Sequence, residues 1–216
     1  MLPQMGEVGL WNASIQACAA DWNPTNNPPH VGYATVVRTY ICPDDDARLS
    51  SPLGDEQSSP AAFTSYIGLA GIAGLEGYYP PRLGPFGSAP GIRLTDVVDG
   101  TSRTIAIGER PPPSSLQAGR WYPAVLYVAI GNGPDEYLRF PELNDYDAGC
   151  PHSGFPSLGP GRIDNPCDRF HLWSFHPGGA NFLFCDGSAR FLSYSANSMI
   201  PALSTIAGGE EVSIPD

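Results

Sequence analysis

The chain has 216 residues with 11 basic and 22 acidic side chains, a formal net charge of −11 and a pI near 4.6, and every basic residue is an arginine. Without clustered Lys or Arg there is no phosphate-neutralising surface, which excludes nucleic acid and disfavours anionic lipid, while divalent cations and neutral polymers stay admissible. With 25 Gly, 24 Pro and 15% charged residues, but 42% hydrophobic residues including ten Tyr, nine Phe and four Trp, the chain has the means to bury a core and favours strands joined by long irregular loops. The expected fold class is α+β: an antiparallel β-sheet with a C-terminal three-stranded meander, long Gly/Pro-rich loops and few short helices, in one domain over 1–216.

In chain order, Gly9 to Ala20 reads as a short helix with Leu10, Ile15 and Ala19 apolar and Trp11 beside them. Asn23 to His30 is a Pro/Asn loop. Tyr33 to Cys42, rich in Val, Thr and Tyr, reads as a strand closed by Pro43 and the acidic turn Asp44-Asp45-Asp46. Residues 47–62 read as a surface loop and Phe63 to Ala70 as a strand. Gly71 to Pro90 is a glycine-rich loop, Arg93 to Val98 a helical turn and Thr104 to Glu109 a strand. Trp121 to Ile130 is strand-like and broken by Pro123, which suits an edge. Ser198 to Ala207 reads as a final helix stopped by Gly208-Gly209.

The most specific stretch runs from Ser174 to Leu192. His171 to Phe175 supplies a first strand, His176-Pro177-Gly178-Gly179 a turn, Ala180 to Cys185 a second strand, Asp186-Gly187 a two-residue turn and Ser188 to Tyr194 a third strand. Asp-Gly between apolar runs is a hairpin signal, because type I′ turns need positive φ at both central residues. The middle strand is apolar on both faces, as expected of a central strand covered above and below.

Five cysteines fall at 18, 42, 150, 167 and 185. Cys150 and Cys167 bracket a Gly/Pro-rich loop, where a disulfide would restrict the unfolded chain by about 3 kcal/mol. Cys18 and Cys42 are candidates for a second bond, and Cys185 reads as a buried thiol. Such usage points to an oxidising, extracytoplasmic compartment. Cys150, His152, Cys167 and His171 also make a two-Cys, two-His zinc set, disfavoured against the disulfide because the C-x-H spacing is tight.

His176 and Asp186 sit at opposite ends of one expected strand, about 20 Å apart at roughly 3.3 Å per residue, so they do not act as a unit. Each reads as a turn residue, His176 bonding across its own turn, and Asn181 as satisfying nearby backbone. No G-x-S-x-G, Walker or H-E-x-x-H pattern occurs. The acidic groups Asp44-Asp45-Asp46 with Asp55 and Glu56, and Asp135-Glu136 with Asn144, Asp145 and Asp147, offer oxygen ligands to calcium without EF-hand spacing; solvated acidic loops are the commoner outcome.

HPGGANFLFCDGSARFL, with His176, Gly178, Gly179, Asn181, Asp186 and Gly187, resembles the C-terminal signature of a prepilin-like family of unknown function best known from planctomycetes. Tyr40-Ile41-Cys42-Pro43-Asp44-Asp45, Ser65-Tyr66-Ile67-Gly68, Leu94 to Thr104 with Gly108-Glu109-Arg110, and Ala207-Gly208-Gly209-Glu210 resemble its other landmarks in the same order. The resemblance implies a pseudopilin-like head whose family begins with a basic leader and a long apolar helix; Met1 to Gly6 resembles neither, and the chain is expected to be that head without its stalk. It implies a non-enzymatic extracytoplasmic structural or assembly subunit related to type II secretion or surface filaments, partnered by protein subunits, with calcium as the admissible ion. Loss of the helix would expose an apolar sheet face that either self-associates or is covered by residues 1–20. The runner-up is a glycan or small-solute binding module built on Trp22, Tyr78, Tyr79, Trp121 and Tyr122.

Overall fold

The computed structural model describes residues 2–21, 23–26, 28–54, 60–72, 82–86, 91–116, 118–122, 137–139, 150 and 157–212. The strands are β1 (Tyr66–Ile72), β2 (Arg82–Leu83), β3 (Ile105–Glu109), β4 (Tyr137–Arg139), β5 (Gly179–Phe184) and β6 (Ala189–Ser193). They form one sheet in the order β2-β1-β3-β5-β6, antiparallel along that path, with β4 joined parallel to β1. Short helices α1 (Val8–Ala20), α2 (Asp46–Leu49) and α3 (Ile200–Leu203) complete an α+β fold.

The period-2 pattern sorts the sheet into two faces. Ile67, Leu69, Ile105, Ala180, Phe182, Phe184 and Leu192 point inward against Leu158, Leu172, Ile200 and Leu203, each large side chain stabilising the fold by about 1.5–3 kcal/mol. A bulge between Ile105 and Ile107 keeps Ile105 inward while Ile107 pairs with Leu183 on the outer face. That outer face also carries Tyr66, Glu109, Asn181 and Phe191 through the pairs Tyr66↔Glu109 and Asn181↔Phe191. Phe86 lies across Gly68, where an added Cβ would strike its ring.

A second cluster, Tyr33, Ile41, Leu49, Ala61, Phe63 and Tyr122, lies among the N-terminal segments. The helix α1 docks there through Ser14, whose carbonyl accepts from the Tyr122 hydroxyl, and through Gly32, where any side chain would collide with Ser14 and Tyr122. Its other side shows Val8, Trp11 and Ile15 to solvent. The cover expected from residues 1–20 is therefore spent on this cluster, and the outer sheet face keeps Phe191 50% and Phe86 42% exposed.

Several expectations are corrected. Residues 33–42 form 3₁₀ turns at Val31–Ala34 and Arg38–Tyr40 instead of a strand. Tyr33, Val37 and Ile41 are buried at every fourth position, with Cys42 buried beside Ile41, and local bonds such as Tyr40 N to Val37 O close tight turns. The meander is a two-stranded hairpin: His171 to Phe175 lies outside the sheet ladder because β5 pairs with β3 on that edge, while the Ser174 hydroxyl takes the Gly179 carbonyl at 2.8 Å. The Asp186-Gly187 turn has one positive-φ residue, Gly187 at 84°. Gly187 N bonds Phe184 O at 3.0 Å, which makes a type I turn closed by a left-handed glycine. The 47–62 stretch buries Leu49, Ala61 and Ala62, and the final helix is shorter than expected, a 3₁₀ stretch Tyr194–Met199 followed by α3.

Cys150 and Cys167 are joined, with Cα atoms 5.6 Å apart, which removes the zinc set they would share with His152 and His171. Cys18 and Cys42 are both free thiols, not a pair: Cys18 on α1 faces the Tyr122 hydroxyl at 3.4 Å, whereas Cys42 faces His176 at 3.7 Å. Asp55, Glu56, Asp135, Glu136, Asn144, Asp145, Asp147, His152, Trp22, Tyr78, Tyr79 and residues 123–130 of the expected edge strand lie outside the described residues.

Candidate functional site

Three segments far apart in the chain converge at one end of the outer sheet face. His176 follows Ser174, whose hydroxyl accepts from the His176 backbone N–H at 3.0 Å, and the turn is completed by Gly178 at a φ of 80°. This aims the imidazole across the end of β3. Its Nδ1 meets Asp44 Oδ2 at 3.0 Å and its Nε2 meets Glu109 Oε1 at 3.2 Å. The ring is therefore clamped between two carboxylates, where the expectation had it bonding across its own turn.

Asp44 is set by Pro43, which starts a 3₁₀ turn directly after Cys42. Glu109 ends β3 and is only 2% exposed. Its Oε2 accepts the Asn181 backbone N–H at 2.6 Å, and the Asn181 side-chain amide lies 3.3 Å from both oxygens, so the carboxylate is held by the backbone of the neighbouring strand. Cys42, 3% exposed, donates its backbone N–H to Ser65 Oγ at 3.0 Å and turns its sulfur to His176 Nε2. Burial, followed by the nearby Cys42 and Glu109, pushes the Tyr66 hydroxyl up to about 12, so that phenol stays neutral beside the cluster.

Sulfur on Nε2 and a carboxylate on Nδ1 reproduce the order nucleophile, base, orienting acid. The electrostatics run the other way. Burial raises the Cys42 thiol; a hydrogen bond from the Asp44 backbone acts to lower it, while the Glu109 and Asp44 carboxylates add to the rise, whereas a nucleophilic cysteine needs an electropositive setting that favours thiolate. Glu109 also competes for the same imidazole nitrogen.

The three adjacent aspartates separate. Asp44 goes to His176, Asp45 takes Arg48 at 2.7 and 2.8 Å, and Asp46 pairs with Arg38 at 2.6 Å. They do not gather as a calcium site. Asp45 is 3% exposed, and burial raises its carboxyl although Arg48 acts to lower it. Asp186, at the far end of β5 from His176, accepts from Ser188 N and Oγ at 2.9 and 2.6 Å, and these bonds lower its carboxyl. Gly179 opens β5 under the Phe191 ring. Of the aromatics proposed for a ligand platform, Tyr122 is buried and Trp121 donates its indole N–H to Thr35 O at 2.7 Å, so both serve the second cluster.

Cys42, Asp44 and Glu109 were not joined to His176 by sequence reasoning. The available signal was that Cys42-Pro43-Asp44, Gly108-Glu109-Arg110 and His176-Pro177-Gly178-Gly179 are all landmarks of the resemblance. Among the described residues no helix is long and apolar enough to cross a membrane. No curated protein and no solved structure matches the chain. A family model matches residues 1–198, and the chain belongs to the family it describes, Protein of unknown function (DUF1559).

Proposed function

We propose that the chain is a non-enzymatic, extracytoplasmic structural or assembly subunit of pseudopilin type, serving a type II secretion or surface-filament assembly. The observation that carries this reading is the outer sheet face, which bears Ile107, Leu183, Phe86 and the half-exposed Phe191. Apolar side chains on such a face suit the apolar side of a partner helix or a second copy. The Cys150–Cys167 disulfide is compatible with an oxidising compartment, and the raised Cys42 thiol disfavours a nucleophilic enzyme.

Light scattering across a concentration series tests the assembly reading. The unmodified chain is expected to gain mass with concentration, and Phe191→Glu to remain monomeric with an unchanged melting temperature. A chain that stays monomeric throughout, or one whose association is indifferent to Phe191→Glu, rejects it.

A further inference from the structure

We propose that Cys42, Glu109 and His176 form a transition-metal site, matched best to zinc, with Asp44 as the outer carboxylate that orients the imidazole. Among the described residues, Cys42, Asp44 and His176 bring ligand atoms within 4.8 Å of one another. Glu109 adds a fourth donor, a carboxylate oxygen, against His176 Nε2.

The distances select which atoms would bind. In a tetrahedral zinc site, ordinary metal–ligand lengths put sulfur and nitrogen about 3.6 Å apart and nitrogen and oxygen about 3.3 Å apart. Cys42 Sγ lies 3.7 Å and Glu109 Oε1 3.2 Å from His176 Nε2. Both edges at Nε2 thus match. Asp44 sits on Nδ1 at 3.0 Å, the place of the carboxylate that commonly fixes a zinc-bound histidine. Asn181 N–H holds Glu109 by Oε2, leaving Oε1 turned to the imidazole.

The donors also balance chemically. One sulfur, one imidazole nitrogen and one carboxylate oxygen form a borderline-soft set that suits zinc and not calcium, which takes six to eight oxygens. Two carboxylates and a thiol surround a single imidazole, and Arg48 is held by Asp45. A divalent cation supplies the missing positive charge. On binding it replaces the proton of Cys42 Sγ, which passes to solvent. Cys42 and Glu109 are buried, while the side chains of His176 and Asp44 are 28% and 54% exposed.

Cobalt titration of the chelator-treated, full-length chain tests the site. One equivalent of Co²⁺ is expected to give a thiolate-to-metal charge-transfer band with the intense visible bands of tetrahedral cobalt, both bleached by Zn²⁺. Cys42→Ser should abolish the charge-transfer band, and Cys18→Ser and Cys185→Ser should leave it. Asp44→Asn should keep the band and weaken affinity about 10–100-fold, and His176→Gln should weaken it at least as much. Because Cys42 is buried and its serine variant can fail to fold, the variants at the more exposed His176 and Asp44 carry the decision independently. No charge-transfer band in the unmodified chain, undiminished affinity in His176→Gln, or displacement of cobalt by Ca²⁺ as readily as by Zn²⁺ overturns the proposal.

Discussion

At the scale of single residues, His171 couples the fold to pH. It is 2% exposed, and burial lowers its pKa from 6.5; Arg110 adds to the lowering, while Asp168, 3.9 Å away, and the Pro160 backbone oppose it. Below pH 6.5 the unfolded chain takes up this proton more readily than the folded one, so stability is full above that pH and is lost as pH falls toward the folded pKa. The urea midpoint of the unmodified chain should therefore drop between about pH 7.5 and about pH 5.5, and His171→Gln should flatten that slope. An equal slope in the variant would show that other groups carry the acid sensitivity.

At the scale of elements, the β5–β6 hairpin shows two different demands for glycine. Gly187 has a φ of 84° and open space where a Cβ would sit, so Gly187→Ala should cost only the backbone strain of the left-handed conformation, about 1–2 kcal/mol. Gly179 has no such φ, but a Cβ there would collide with the Leu192 carbonyl and the Phe191 ring. Gly179→Ala must separate the hairpin, and thermal unfolding should rank it the more damaging of the two. A reversed order would mean that the hairpin yields more easily than its turn.

The same hairpin explains what the sequence reveals and what it hides. β5, β6 and β3 are legible because short apolar runs end at Asp186-Gly187 or lead into Pro111-Pro112-Pro113, signals that act over a few residues. The strand expected at 33–42 fails because Val and Thr are counted by type while the buried side chains Tyr33, Val37 and Ile41 follow a four-residue spacing that suits successive turns. The first meander strand fails because β5 is already paired along both edges, with β3 on one side and β6 on the other. His176 could be named from its motif, yet its partners could not: Glu109 arrives only because β3 pairs with β5, and Asp44 only because Ser65 binds the Tyr40 carbonyl and the Cys42 N–H. Both are pairings of distant chain segments that leave no local periodicity.

At the scale of the whole molecule, Ser65 joins the N-terminal segments to the sheet, since its N–H meets Tyr40 O, its carbonyl accepts Arg110 N–H and its hydroxyl accepts Cys42 N–H. The disulfide acts elsewhere, tying Cys150 to Cys167 across a sequence separation of 17. The Cys167 end is already organised: Asn165 accepts the Cys167 N–H at 3.1 Å and donates to Asp168 at 2.9 Å, and Asp168 accepts the Arg162 N–H at 2.7 Å. If the bond acts by restricting the unfolded chain, reducing it should lower unfolding free energy by about 3 kcal/mol with little change in far-ultraviolet circular dichroism. Urea unfolding with and without reductant measures this on the same protein. A loss below about 1 kcal/mol would instead assign the order of residues 162–168 to the Asn165–Asp168–Arg162 bonds, each on the usual scale of a single hydrogen bond. Thiol labelling separates the bond from the other cysteines, because exposed Cys18 should react in the folded state while buried Cys42 should wait for unfolding.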